Sequence, residues 1–179
     1  MRQRTWIITA SALLILLVIV GGLIAHGGSG YTQKVDKGTT TQFPQPKGYI
    51  NDFGQLLTDE QEKALTKIAA AFERRTTAQL AVVTIETISP FESIEPYATK
   101  LFNAWGIGQK DKNNGVLLLV VVKERKVRIE VGRGLEQILP NSRCKEILQT
   151  DVTPRLKEGA YYEAMKRGME SIIKEIEKQ

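Results

Sequence analysis

The chain has 179 residues, 42% of them hydrophobic and 25% charged, an ordinary globular composition with room for one domain and one core. Its 25 basic and 20 acidic residues give a net charge of +5, and because Arg2 and Arg4 precede the first apolar segment the remainder carries only +3, too mild a surplus for a nucleic-acid binder. The single histidine, His26, and the single cysteine, Cys144, exclude an intrachain disulfide and any mechanism that needs a histidine base, phosphoryl acceptor or zinc ligand inside the domain.

Residues 1–5 form a short basic tail. From Trp6 to Ala25 the sequence WIITASALLILLVIVGGLIA carries no charge, and twenty helical residues at about 1.5 Å each cover a ~30 Å hydrocarbon core. Trp6 suits the interface. Arg2 and Arg4 keep the amino end in the cytoplasm, so the bilayer is the first expected partner and the domain should lie on the periplasmic, extracytoplasmic or lumenal side. A cleaved signal peptide is the competing reading. Its apolar part is usually shorter, and Ala25-His26-Gly27 matches a cleavage site poorly. Residues 26–46, rich in Gly, Ser, Thr, Gln and Pro, read as a flexible linker spanning on the order of 25 Å.

Residues 47–179 carry the folded pattern. Thr58 and Gln61 have capping-box spacing, and Ala64, Leu65, Ile68, Ala69 and Phe72 then recur at helical intervals. Residues 79–87, QLAVVTIET, predict a buried strand. Ser89, Pro90 and Glu92 predict a second capping box, with Ile94, Tyr97, Ala98, Leu101, Phe102 and Trp105 on one helical face ended by Gly106. Residues 116–122, VLLLVVV, are apolar throughout, as a central strand covered on both faces requires. Residues 126–131 alternate, which suits an outer strand in a tight hairpin whose tip holds Lys123, Arg125 and Lys126. The basic cluster Lys123, Arg125, Lys126 and Arg128 reads as a solvated hairpin tip, or else as a contact for anionic lipid or an acidic partner. A helix should start near Asn141 and be bent or ended by Pro154, and a last one should carry Tyr161, Met165, Gly168, Met169, Ile172 and Ile176. The order α-β-α-β-β-α-α predicts a three-layer α/β/α sandwich with a small mixed sheet. Its central strand–helix–strand unit should be right-handed, with 116–122 flanked by 79–87 and 126–131.

Two loops carry candidate chemistry. Gly132-Arg133-Gly134-Leu135-Glu136-Gln137 follows a strand, but Gln137 stands where a dinucleotide fingerprint needs its third glycine, so no nucleotide is expected. Asp111-Lys112-Asn113-Asn114-Gly115 fails EF-hand spacing, and its plain reading is a turn. One loop enters the central strand and the other leaves its antiparallel neighbour, so both belong at one end of the sheet. Asp111, Asn113, Glu136 and Asn141 are candidate oxygen ligands there for a hard cation, with Asn51 and Asp52 joining if their segment reaches the same place.

The segments GYINDFGQLLT (48–58), LFNAWGIGQK (101–110), DKNNGVLLLVVV (111–122) and VRIEVGRGLEQILPN (127–141) resemble, in order and spacing, those of TPM domains. The resemblance implies an α/β/α sandwich, export or membrane anchoring, acid phosphatase activity, and binding of Ca²⁺ or another divalent cation. It carries an acidic role to Asp52, loop roles to Asp111 and Asn114, which lead into Gly115, and the glycine-rich exit to Gly132, Gly134 and Glu136. Asn141 stands where the family has an aspartate, which removes a charge from any cation site. Two functions follow: an accessory module for a membrane protein complex, which the altered position favours, and a metal-dependent acid phosphatase with a reduced site.

Overall fold

The computed structural model describes residues 43–178. Residues 1–42, with the expected membrane segment, its ends Trp6 and Ala25 and most of the linker, lie outside that range. Among the described residues no helix is long and apolar enough to cross a membrane. Residues 43–46, read from sequence as the end of the linker, are packed: the Phe43 ring meets Tyr97 edge-on at 5.2 Å, and Trp105 donates its indole N–H to the Pro44 carbonyl at 3.0 Å.

The elements in order are β1 (Ile50–Asp52), α1 (Asp59–Thr76), β2 (Gln79–Ile85), α2 (Ile94–Trp105), β3 (Gly115–Val121), β4 (Lys126–Val131), α3 (Asn141–Ile147), α4 (Thr153–Lys157) and α5 (Tyr161–Ile176). The sheet runs β1-β2-β3-β4. β1, β2 and β3 are parallel, and β4 returns antiparallel to β3. The fully buried run at 115–121 therefore lies between β2 and β4, as its unbroken apolar character predicts.

Period-two alternation sorts the strand side chains onto two cores. Leu80, Val82, Val116, Leu118 and Ile129 meet Leu65, Ala69 and Phe72 of α1 and Met165, Met169 and Ile172 of α5. Ala81, Val83, Leu117, Leu119 and Val121 meet Tyr97, Ala98, Leu101 and Trp105 of α2. Helices thus cover both faces. The two parallel connections step the same way across the sheet yet use opposite faces, so they have opposite hands. Val82 points its side chain at the α1 face and its amide at the Tyr49 carbonyl, 2.8 Å away. For an L-residue this makes β2–α2–β3 the usual right-handed unit and β1–α1–β2 the rare left-handed one.

Three details depart from or refine the sequence expectations. β1 was not anticipated. The Thr58–Gln61 capping box forms, with Thr58 Oγ1 accepting from Gln61 N at 3.3 Å and Gln61 Oε1 from Thr58 N at 3.0 Å. The second box does not: α2 begins at Ile94, after an N-cap Ser93 that makes no side-chain cap bond. Ile88 is buried and Phe91 turns back to donate to its carbonyl at 2.8 Å, placing the Phe91 ring on Tyr97. Burial of these apolar groups overrides the local capping pattern. Ahead of Pro154 the chain widens into a π turn over Leu148–Val152, which accommodates the missing amide and seats Val152 against Gly168 of α5.

Candidate functional site

The two loops do meet at one end of the sheet, where β2 and β3 begin. Gly132 donates to the Gly115 carbonyl at 2.8 Å and Gly134 to the Asn113 carbonyl at 3.0 Å. Their packing is backbone against backbone. A Cβ on Gly132 would lie 2.2 Å from the Asn113 oxygen, and one on Gly134 would lie 2.0 Å from the Lys112 oxygen. Gly115 makes the same approach to Ile107 on its other side, where a Cβ would sit 2.2 Å from that carbonyl. The glycines therefore let three chain segments cross at contact distance.

Asn114 is buried and holds this crossing together. Its Oδ1 accepts from Gln109 N at 2.8 Å, and its Nδ2 donates to the Thr77 carbonyl at 2.9 Å, closing the end of α1. Lys112 adds a bond from Nζ to Thr77 Oγ1 at 3.0 Å. Behind it, Gln79 donates to Glu73 Oε1 at 2.8 Å and accepts from Gly108 N at 2.7 Å, while Tyr49 donates its hydroxyl to Glu73. Asp111, Asn113, Glu136 and Asn141 are exposed. Asn114 has committed its amide oxygen, Lys110, Lys112 and Arg133 lie among the two carboxylates in sequence, and among the described residues no three histidine, cysteine or acidic side chains form a metal-holding group.

Asp52 lies at the opposite end. It closes β1 in register with Thr84 of β2, at the carboxyl ends of the parallel strands, so the structure separates it from Asp111 and Glu136. One Asp52 oxygen accepts the Thr84 hydroxyl. The other accepts Leu57 N at 2.8 Å, drawing the chain into α1. Thr84 Oγ1 in turn accepts from Gly54 N at 2.9 Å. The adjoining Asn51, 1% exposed, accepts from Lys47 N at 2.6 Å and donates to the Gly48 carbonyl at 2.8 Å, fixing entry into β1. Glu62, on the first turns of α1, has its carboxyl pushed above the usual range by burial, then by the charges of Asp52 and Asp59, with Lys47 opposing. β1 leads to a helix on one face and β2 to a helix on the other, so the crevice between them is where open α/β sheets take ligands. The sequence expectation missed Thr84, although a lone hydroxyl inside the apolar run QLAVVTI is a usable signal.

The crossed glycines, the Asn114 lock and the Asp52–Thr84 pair give the motif segments a common structural sense. The sequence profile of the TPM domain matches residues 50–175. The chain belongs to the TPM domain family. Its fold is similar to the solution structure of the N-terminal domain of a protein from P. gingivalis, at 31% identity over 71% of this chain and 80% of that one, with a TM-score of 0.66. It also resembles the BA42 protein of the psychrophilic bacterium Bizionia argentinensis, at 20% identity, 67% and 81% coverage and a TM-score of 0.59. The N-terminal domain of the cg2496 protein from Corynebacterium glutamicum matches at 13% identity, 74% and 84% coverage and a TM-score of 0.56. These last two likenesses concern the fold alone. No curated protein matches the chain. In this TPM domain, Asp52, Asn114, Gly115, Gly132 and Gly134 all have structural partners, while Asp111, Asn113, Glu136 and Asn141 face solvent.

Proposed function

We propose that this TPM domain is an accessory module, held at the outer face of a membrane by residues 6–25, that binds and stabilises a membrane protein complex without turning over a substrate. The observation that carries the reading is the engagement of Asn114 and Asp52, the motif's less exposed polar groups, in the fold. Asn114 uses both ends of its amide on backbone, and both Asp52 oxygens already accept hydrogen bonds. The motif side chains left on the surface, Asp111, Asn113, Glu136 and Asn141, are acidic or neutral, whereas gripping a phosphate needs several convergent positive charges. The twenty uncharged residues 6–25, with Arg2 and Arg4 before them, support anchoring with the domain outside. The test is purification of the tagged full-length chain from detergent-solubilised membranes. The expected result is one membrane complex recovered in fixed proportion. Recovery of the chain in the soluble fraction, or of no partner at all, sinks the proposal.

The alternative is a divalent-cation-dependent acid phosphatase. One observation favours it: Asp52 and Thr84 stand at the switch-point crevice beside Glu62, whose raised carboxyl suits proton donation. Cation-stimulated aryl-phosphate turnover by the full chain, abolished by Asp52→Asn, would replace the accessory reading.

A further inference from the structure

β4 is a six-residue outer strand, against three residues at the β1 edge. Gly132 donates to its register partner Gly115, which makes that pair a hydrogen-bonded one. Pairs then alternate, so Arg128 and Glu130 turn their backbone groups toward β3. Val127, Ile129 and Val131 turn theirs outward. No described residue bonds these three N–H and three C=O groups. Ile129 is 3% exposed and Val127 and Val131 are half-buried, so neighbouring side chains lie over the outward groups and must part before this edge can serve as a template for another strand.

The sequence of this edge matches itself. Val127-Arg128-Ile129-Glu130-Val131 is symmetric about Ile129, with opposite charges at mirrored places. We infer that β4 pairs antiparallel with β4 of a second copy of this chain about a two-fold axis at Ile129, joining the two sheets into one of eight strands. In that register Ile129 lies opposite Ile129, and Val127 opposite Val131, all as hydrogen-bonded pairs. Every outward N–H and C=O on both edges gains a partner. Arg128 lies opposite Glu130 twice, as non-hydrogen-bonded pairs whose side chains approach most closely. The neighbouring two-fold registers fail on charge: an axis at Arg128 opposes two arginines, and an axis at Glu130 opposes two glutamates. Within one chain Arg128 Nη2 already pairs with Glu130 Oε2 at 2.8 Å, so the dimer builds a four-membered cluster from side chains that are in place.

The test uses the detergent-solubilised full chain in sedimentation experiments over about 1 to 100 μM, a range in which a ~1 μM dissociation constant and one tenfold weaker are told apart. The wild type should be a dimer. Arg128→Glu opposes glutamates on both sides of the axis and should weaken association by roughly tenfold or more. Arg128→Glu with Glu130→Arg restores complementarity and should restore the dimer, with thermal unfolding confirming that both variants fold. The register is read separately. Differently tagged Arg128→Cys and Glu130→Cys chains, mixed and mildly oxidised, should form a disulfide-linked heterodimer, whereas each alone should link far more slowly, since mirrored 128 positions lie beyond disulfide reach. Cys144 does not compete, because burial raises its thiol to about 11. A monomeric wild type, a dimer indifferent to Arg128→Glu, or failure of the mixed cysteine pair would each overturn the inference. If Arg128→Glu does not fold, the swapped variant and the cysteine pair decide.

Discussion

The two ends of the sheet are built on different principles. At the amino ends of β2 and β3, Gly115, Gly132 and Gly134 bring main chains together with no side chain between them. At the carboxyl ends of β1 and β2, side chains make the structure: Asp52 and Thr84 bond each other and then two backbone amides. The first end is intolerant of added atoms and offers little side-chain chemistry. The second is adaptable and places a carboxylate in the crevice where α/β sheets bind ligands. A motif rich in glycine and asparagine can therefore identify a family through its folding requirements, while the chemistry of the fold sits elsewhere.

The sharpest way to break this contrast is a methyl group at each end. Gly134→Ala would put its Cβ 2.0 Å from the Lys112 carbonyl oxygen, an overlap that only backbone movement relieves. It should cost about 3 kcal/mol or more in chemical denaturation. Gly54→Ala at the other end meets Thr84 Oγ1 at 3.0 Å and Val122 Cγ2 at 3.1 Å, longer contacts with side chains and not backbone, and should cost less, about 1 kcal/mol. Equal losses would remove the distinction between the ends.

Next in size is Asn114→Ala. It leaves Gln109 N and the Thr77 carbonyl without their side-chain partner at a site 7% exposed, which should cost about 2 kcal/mol. Its hydrogen-exchange signature should be early opening of Thr77 to Gln79 and of Gly108 to Gly115, with α5 unaffected. A loss shared across α5 would mean that Asn114 supports the whole core and not this end.

Most of the sheet was legible in the sequence because its strands are long enough to show period. β3 is apolar at every position and β4 alternates, which fixed their order. β1 was not legible: three residues, Ile50 to Asp52, show no alternation, and Asn51 and Asp52 look like loop residues. Their burial reflects bonds to Gly48, Lys47, Leu57 and Thr84, the last of which joins residues far apart in the chain. The meeting of the two motif loops followed from topology. The placement of Asp52 with them did not, because that depends on β1 running parallel to β2 and so carrying Asp52 to the far end. Pattern also failed at Ser89 and Glu92, where the burial of Ile88 and the Phe91–Tyr97 contact, absent from any local window, moved the helix start to Ile94.

The smallest expected effect probes the carboxyl end by charge alone. Glu62 lies one helical turn after Asp59 and near Asp52, and burial with these two charges raises its carboxyl above the ordinary carboxylate range. A raised folded-state value means that the folded protein prefers Glu62 protonated. Its favourable contribution is therefore complete below the unfolded-state value and disappears as pH rises through the folded one. At neutral pH the ionised group is a liability, so Glu62→Gln should stabilise the chain. A like-charge pair at this helical spacing costs ~0.2–0.5 kcal/mol, which sets the scale of the gain. The gain should fade as pH falls to 4 and below, because wild type and variant are then both neutral at this position. Thermal unfolding across pH 3.5 to 7.5 reads both the sign and the window. A gain that persists unchanged at the acid end would trace to helix propensity or packing of the glutamine, and Asp52 and Asp59 would then have no electrostatic hold on the crevice.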